Sequence, residues 1–239
     1  MERGVTIASL REMKRERRKI VGIVAWDAHM ASIADRAGVD LISVGDSVGV
    51  NLWGRTESEP VTVDEILVCC KAVRNGAKRA LVSCDVPAGT DALRAARRLA
   101  DEGGAKMVKV LGEADLVRAI VQAGVPVFAE LHGKGVSAEK LVEQAKRLQD
   151  AGASLLDFRH SGPVAGAAVA SAVSIPVIGG LGGGPWLDGR VRLAHTAIGY
   201  AAKWIDAKDA SYGNAAKLSL DAFRALIEDV RAGRQIRGG

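Results

Sequence analysis

Short runs of apolar residues alternate along this chain with longer segments whose apolar positions recur at helical spacing. The first run is 20–25 (IVGIVA), followed by a helical pattern over 30–37. The second is 39–44 (VDLISV), followed by a long loop and a helix at 63–75. The couplet then returns as 80–84 before 90–102, 107–110 before 114–123, 125–129 before 138–151, and 154–158 before 163–172. A late strand is predicted at 175–178, and an eighth, weak in pattern, near 195–200. Strands this short, separated by helices, need crossover connections and so form a parallel sheet. Seven or eight such units in 239 residues fit a single (β/α)8 TIM-type barrel over 1–239 better than an open doubly wound sheet. AG or GG dipeptides precede the strands at 37–39, 103–105, 123–125 and 151–153, supplying the glycine that ends each helix. No linker or domain boundary interrupts the pattern.

Composition adds exclusions. With 48% hydrophobic and 26% charged residues the chain is neither disordered nor fibrous. Twenty-eight glycines and only 4% aromatics suit many tight strand-to-helix turns around a core of Val, Ile, Leu and Ala. The net charge of +5 is modest. Its two basic clusters, 11–19 and 231–237, read as solvated helix ends, and no groove-reading motif accompanies them, so no nucleic-acid partner is expected. Cys69, Cys70 and Cys84 form no CxxC pair, which points to a reducing, cytoplasmic compartment. No apolar run reaches the roughly 20 residues of a membrane span. The N-terminus reads as a charged helix rather than a signal peptide.

Barrel active sites lie at the carboxyl ends of the strands. The polar residues predicted there are Asp27, Asp46 and Ser47, Asp85, Lys109, Glu130 and His132, Asp157, Arg159 and His160, and the glycine run 179–184. Asp and Ser at such positions also cap the following helices. Carboxylates and a lysine converging on one mouth favour a metal or an anionic substrate.

The segment 44–50 reads VGDSVGV and resembles the VGDSLGM motif of the ketopantoate hydroxymethyltransferase family, within the phosphoenolpyruvate mutase and isocitrate lyase superfamily. Glu59-Pro60-Val61-Thr62-Val63 is similar to that family's LPVT helix start, and 80–87 (ALVSCDVP) to its LLxxDLP. The stretch 105–110 (AKMVKV) is similar to AxxVKIE, and 175–180 (IPVIGG) with Asp188-Gly189 to IPVIGIGAG and DGQ. The resemblance covers roughly residues 5 to 235.

It implies a Mg²⁺ site held by Asp46 and Asp85, whose hard oxygens suit an ion that keeps waters and is completed by substrate. It also implies that Ser47 and Lys109 bind the carboxylate of a 2-oxo acid. The metal would polarise the keto oxygen, a base would form the enolate, and methylenetetrahydrofolate would deliver a one-carbon unit. A homo-oligomer is expected on the same ground.

Four departures bear on that expectation. The family's third acidic ligand, two residues after the lysine, is Leu111 here, with Glu113 two further on. The family's histidine after the fifth strand aligns with Glu130, and His132 is displaced by two. The glycine-rich segment that follows this strand is missing, since 133–136 leads straight into a helix. The family's glutamate base aligns with Arg159, which stays protonated and cannot take a proton. Glu130, His132 and His160 are the remaining candidate bases. Arg159 either binds a second substrate carboxylate bidentately or pairs with Asp157 or a neighbouring glutamate.

The glycine run 179–184 reads as the loop after a core strand. Among the tryptophans Trp53, close after VGDSVGV, is the one placed to cover the site. The expected activity is therefore a Mg²⁺-dependent, carbon–carbon bond-forming hydroxymethyl transfer to a 2-oxo acid. A carbon–carbon lyase of the same superfamily, or a non-catalytic small-molecule-binding paralogue, are the alternatives.

Overall fold

Thr6 and Ser9 exchange side-chain hydrogen bonds with each other's amides, a capping box that starts α1 (Ile7–Arg15). The structure, a computed structural model, describes residues 4–56, 59–206 and 211–234. After α1 come β1 (Ile20–Val24), α2 (Ala28–Ala37) and β2 (Leu41–Val44). The predicted long loop contains a one-turn helix, α3 (Val48–Asn51), before α4 (Val63–Gly76). Then follow β3 (Leu81–Asp85), α5 (Ala92–Asp101), β4 (Met107–Leu111), α6 (Ala114–Gln122) and β5 (Val127–His132). The series continues with α7 (Ala138–Asp150), β6 (Leu155–Arg159), α8 (Pro163–Ala172), β7 (Val177–Gly179) and β8 (Gly189–Leu193). Neighbouring strands pair in parallel, and the eight close in chain order into the expected TIM-type barrel.

The chain divides into two compact units, Met1–Arg192 and Leu193–Gly239. The second holds α9 (Ala194–Ala197), a 3-10 turn at Ala202–Trp204 and α10 (Ala215–Arg231). Asn214 caps α10 at the Lys217 amide and donates its side-chain amide to the Trp204 carbonyl. Among the described residues no helix is long and apolar enough to cross a membrane.

The eighth strand is not near 195–200, where α9 begins, but at 189–193. Arg190 and Arg192 break up its apolar pattern. Its first residue must be glycine, because a Cβ on Gly189 would stand 2.2 Å from the Ile20 carbonyl oxygen of β1. The basic run 11–19 is also not simply a solvated helix end. Lys14 turns inward, donating to the carbonyls of Ala170 (2.7 Å) and Ile175 (2.9 Å) and pairing with Asp188 at 2.9 Å. The other basic run, 231–237, lies outside the described residues from 235 onward.

Strand residues alternate between the barrel interior and the surrounding helices, so each interior face is read by taking every second residue. The lowest positions, Ile20, Leu41, Leu81, Met107, Phe128, Leu155 and Ile178, form one buried cluster with Leu10 and Met13 of α1. α1 thus floors the barrel at the amino ends of the strands. Two residues above the floor the same faces carry Ser43, Ser83, Lys109, Glu130 and Asp157. One step further come Asp85, Leu111, His132 and Arg159. The interior passes from apolar to ionic in a single pleat.

Candidate active site

Lys109 rises from β4 into the middle of this ionic layer, its side chain only 9% exposed. Its Nζ lies 2.9 Å from Glu130 Oε1, 3.2 Å from Asp85 Oδ2 and 3.5 Å from Asp157 Oδ2. Burial alone would push the ammonium down; the three carboxylates outweigh it and hold it above the ordinary lysine range. Arg159 closes the other side, with Nη2 2.6 Å from Glu130 Oε1 and Nε 3.2 Å from Asp157 Oδ2. Of the two readings open for Arg159, the geometry is that of a pair with Asp157 and a neighbouring glutamate.

Glu130 is half-buried, which would raise its pKa, yet Lys109 and Arg159 hold it below the usual carboxylate range. Its second oxygen, Oε2, meets His132 Nε2 at 3.2 Å. Asp85 goes the other way. Burial pushes it up to about 6, and the nearby charges of Asp46 and Glu130 add to the effect against Lys109. Asp85 Oδ1 and Asp157 Oδ1 are buried and have no hydrogen-bond partner.

The VGDS turn reaches this cluster from β2. Trp26 donates its indole N–H to the Gly45 carbonyl at 2.9 Å, fixing the turn from below. Asp46 is exposed at the rim, and the half-buried Ser47 stands at the start of α3 without spending its hydroxyl on a cap. Thr62 and Glu65 form the capping box that starts α4, as the LPVT resemblance implies. Arg55 then grips Glu65 through both guanidinium nitrogens and holds its carboxyl down at about 2, pinning the segment after α3 to α4.

Other predicted mouth residues stand apart from the cluster. Asp27 caps α2 by accepting from the Met30 amide at 2.8 Å. Trp53 is stacked by Arg55, 4.8 Å from its ring centroid. Leu111, in the place of the third acid, is 55% exposed, and Glu113 begins α6 without a side-chain cap. His160 is exposed, with φ of 52°, and donates its amide to the Leu181 carbonyl of the glycine run at 2.8 Å.

Asp157 enters the sequence reading only as a mouth residue and a possible partner of Arg159; the structure adds its pairing with Lys109 at 3.5 Å. An aspartate at an inward position between Leu156 and Phe158 is tolerated only with a partner.

Asp46 and Asp85 are the residues that could hold a divalent cation. No group of three His, Cys, Asp or Glu side chains suited to a metal occurs among the described residues. Two carboxylates suffice for Mg²⁺, which leaves most of its coordination shell to water and substrate. The unpartnered Asp85 Oδ1 is a hard oxygen donor with its lone pairs unspent, so the residues fit the ion. Charge agrees. Four acids (Asp46, Asp85, Glu130 and Asp157) face two cations (Lys109 and Arg159), an excess of two negative charges.

The chain is 34% identical over 252 residues to the 3-methyl-2-oxobutanoate hydroxymethyltransferase of Carboxydothermus hydrogenoformans, covering 95% of this chain and 91% of that one. It is 36% identical over 259 residues to the enzyme of the same name from Geobacter sulfurreducens, covering 98% and 96%. Among solved structures, a phosphonopyruvate hydrolase in complex with oxalate and Mg²⁺ superposes with a TM-score of 0.64 at 14% identity, over 96% of this chain and 88% of that one. This last likeness is one of fold. The ketopantoate hydroxymethyltransferase family model matches residues 4–133 and 130–235. The two matched segments overlap at 130–133, at the end of β5. With its model matched along nearly the whole length and its relatives covered almost end to end, this chain belongs to the ketopantoate hydroxymethyltransferase family.

Proposed function

We propose that the chain is a Mg²⁺-dependent transferase that converts a 2-oxo acid of the 3-methyl-2-oxobutanoate type to its enolate and adds a one-carbon unit from methylenetetrahydrofolate. The observation that carries this reading is the buried, unpartnered oxygen of Asp85 beside Asp46, at the mouth of a barrel of this family. Mg²⁺ bound there would cancel the excess negative charge and draw electrons from the keto oxygen, which acidifies the neighbouring C–H.

The chain's own residues do the rest. Asp46 and Asp85 supply the metal-binding oxygens. Ser47 offers its uncommitted hydroxyl to the substrate carboxylate. Lys109 holds Asp85, Glu130 and Asp157 together within one small volume and presents positive charge to an anionic substrate. Arg159 is committed to Glu130 and Asp157, so it shapes the wall rather than reaching for a second substrate carboxylate. A monocarboxylate is therefore favoured over a dicarboxylate. A homo-oligomer belongs to the same reading and is checked by light scattering.

The test is deuterium exchange at C3 of 3-methyl-2-oxobutanoate, followed by proton NMR in D₂O with Mg²⁺ and without folate. Exchange abolished by EDTA and by Asp85→Asn, together with a hydroxymethylated product once methylenetetrahydrofolate is added, is the expected result. Loss of substrate without folate would replace it with carbon–carbon cleavage. That second reading is favoured by Arg159 standing where the family's base is expected. Mg²⁺-dependent binding with neither exchange nor turnover would make the chain a binding protein.

A further inference from the structure

Enolate formation needs a group that accepts the C3 proton, and the position of the family's glutamate is filled by Arg159. Glu130 is badly placed to accept it. Its Oε1 is shared between Lys109 Nζ and Arg159 Nη2, and its Oε2 is turned to His132. A carboxylate held by two cations is ionised, and as a base it is weak.

His132 has the opposite situation. It stands one pleat step above Glu130 on the same face of β5, and its side chain is 51% exposed at the rim. Backbone pairing fixes it there. His132 lies opposite Arg159 in the β5–β6 register, and the Gly133 amide extends the ladder to the Arg159 carbonyl at 2.9 Å. Gly133 must be glycine for this approach, since a Cβ would stand 2.4 Å from the His160 carbonyl oxygen. The strand then passes through a short turn, 133–137, into α7, and the ring is left uncovered.

An ionised carboxylate only accepts hydrogen bonds, so Nε2 of His132 must be the donor to Glu130. In the neutral ring Nδ1 then carries the lone pair. A carboxylate fixing one ring nitrogen so that the other can act as a base is the general logic of an oriented catalytic imidazole. We infer that His132 is the residue that takes the C3 proton of the 2-oxo acid, with Glu130 as its positioning residue and Lys109 and Arg159 as the clamp on Glu130. This assignment rests on the enolate reading above. In the step, the Nδ1 lone pair forms the new N–H bond and the C3–H electron pair becomes the C2–C3 double bond. The carbonyl π pair moves onto the keto oxygen. The resulting imidazolium is paired with Glu130 and passes its proton to solvent across its exposed edge.

The experiment follows C3 deuterium exchange into 3-methyl-2-oxobutanoate with Mg²⁺ for wild type, His132→Ala, His132→Gln and Glu130→Gln. Binding of the 2-oxo acid is measured in parallel by Mg²⁺-dependent thermal shift. Both His132 variants are expected to lose about 10²- to 10⁴-fold in exchange rate with binding retained. Added imidazole should restore exchange in His132→Ala and not in His132→Gln, whose side chain fills the space. Glu130→Gln should slow exchange without abolishing it. Wild-type exchange in both His132 variants overturns the assignment while leaving the enolate reading standing. Loss of exchange together with loss of binding, unrestored by imidazole, overturns a proton-transfer role in favour of a structural one. No exchange in the wild type itself overturns the enolate reading and the assignment with it.

Discussion

Glu130 and Arg159 stand at the two positions where a histidine and a glutamate are expected from the family, and here they touch, with Arg159 Nη2 2.6 Å from Glu130 Oε1. The two departures are one exchange of polarity across the β5–β6 pair. It follows that restoring the family glutamate alone, Arg159→Glu, should damage the protein. The change replaces attraction by repulsion at both Glu130 and Asp157. At an effective dielectric near 20, unit charges about 4 Å apart interact by about 4 kcal/mol, so two reversals are large. Arg159 is 30% exposed, Lys109 regains one attraction, and a carboxyl can take up a proton, all of which reduce the cost. The expected loss at pH 8 is about 3–5 kcal/mol, as when a buried charge is left without its partner. Urea unfolding reads it directly. In the wild type the depressed pKa of Glu130 adds stability that fades as pH falls through its folded value. In the variant the crowded carboxyls have raised pKa values, so acid relieves it instead, and the gap between the two proteins must narrow from pH 8 to pH 5. Glu130→His combined with Arg159→Glu should recover most of the loss. A single variant within about 1 kcal/mol of wild type at pH 8, or a double variant no better than the single, would refute the reasoning.

Three further outcomes are expected. Asp85→Asn should abolish the thermal stabilisation given by Mg²⁺. Without metal at pH 8 it should unfold later than wild type by up to about 3 kcal/mol, because an acid whose pKa is raised to about 6 costs stability when ionised; the advantage should disappear below about pH 4. Gly112→Ala should cost about 3 kcal/mol in urea unfolding, since its Cβ would stand 2.0 Å from the Glu130 carbonyl oxygen and β5 must move. Lys14→Met should cost about 3 kcal/mol by the same measurement, leaving Asp188 and two carbonyls without their ammonium partner.

The barrel was legible because its strands are short and apolar and its helices end on glycine. Ile20–Val24 and Leu81–Asp85 stand out as short strand-like runs, and Leu155–Arg159 also follows a helix-ending glycine. β8 was not, because Arg190 and Arg192 alternate with its apolar residues and its position is set by a backbone approach at Gly189. Within the site, VGDS and the aspartate of β3 were visible as motifs. Carboxylates and a lysine at one mouth were visible too, but not which of them pair, because Asp85, Lys109, Glu130 and Asp157 come from four strands and meet only when the barrel closes. A two-residue count along each strand puts Lys109, Glu130 and Asp157 in one layer, as Met107 to Lys109, Phe128 to Glu130 and Leu155 to Asp157 each step up from the floor.

α1 gives the barrel the form of a cup rather than a tube. Leu10 and Met13, each 2% exposed, lie beneath the first residues of the strands, so the ionic layer meets water from the rim and hydrocarbon from below. A proton removed inside such a cup leaves by the opening that admits the substrate. His132 passes it on across the exposed edge of its ring at the rim, since α1 closes the opposite end. Isotope washed into unreacted 2-oxo acid would then report how often the enolate returns to the keto acid before a second reactant captures it.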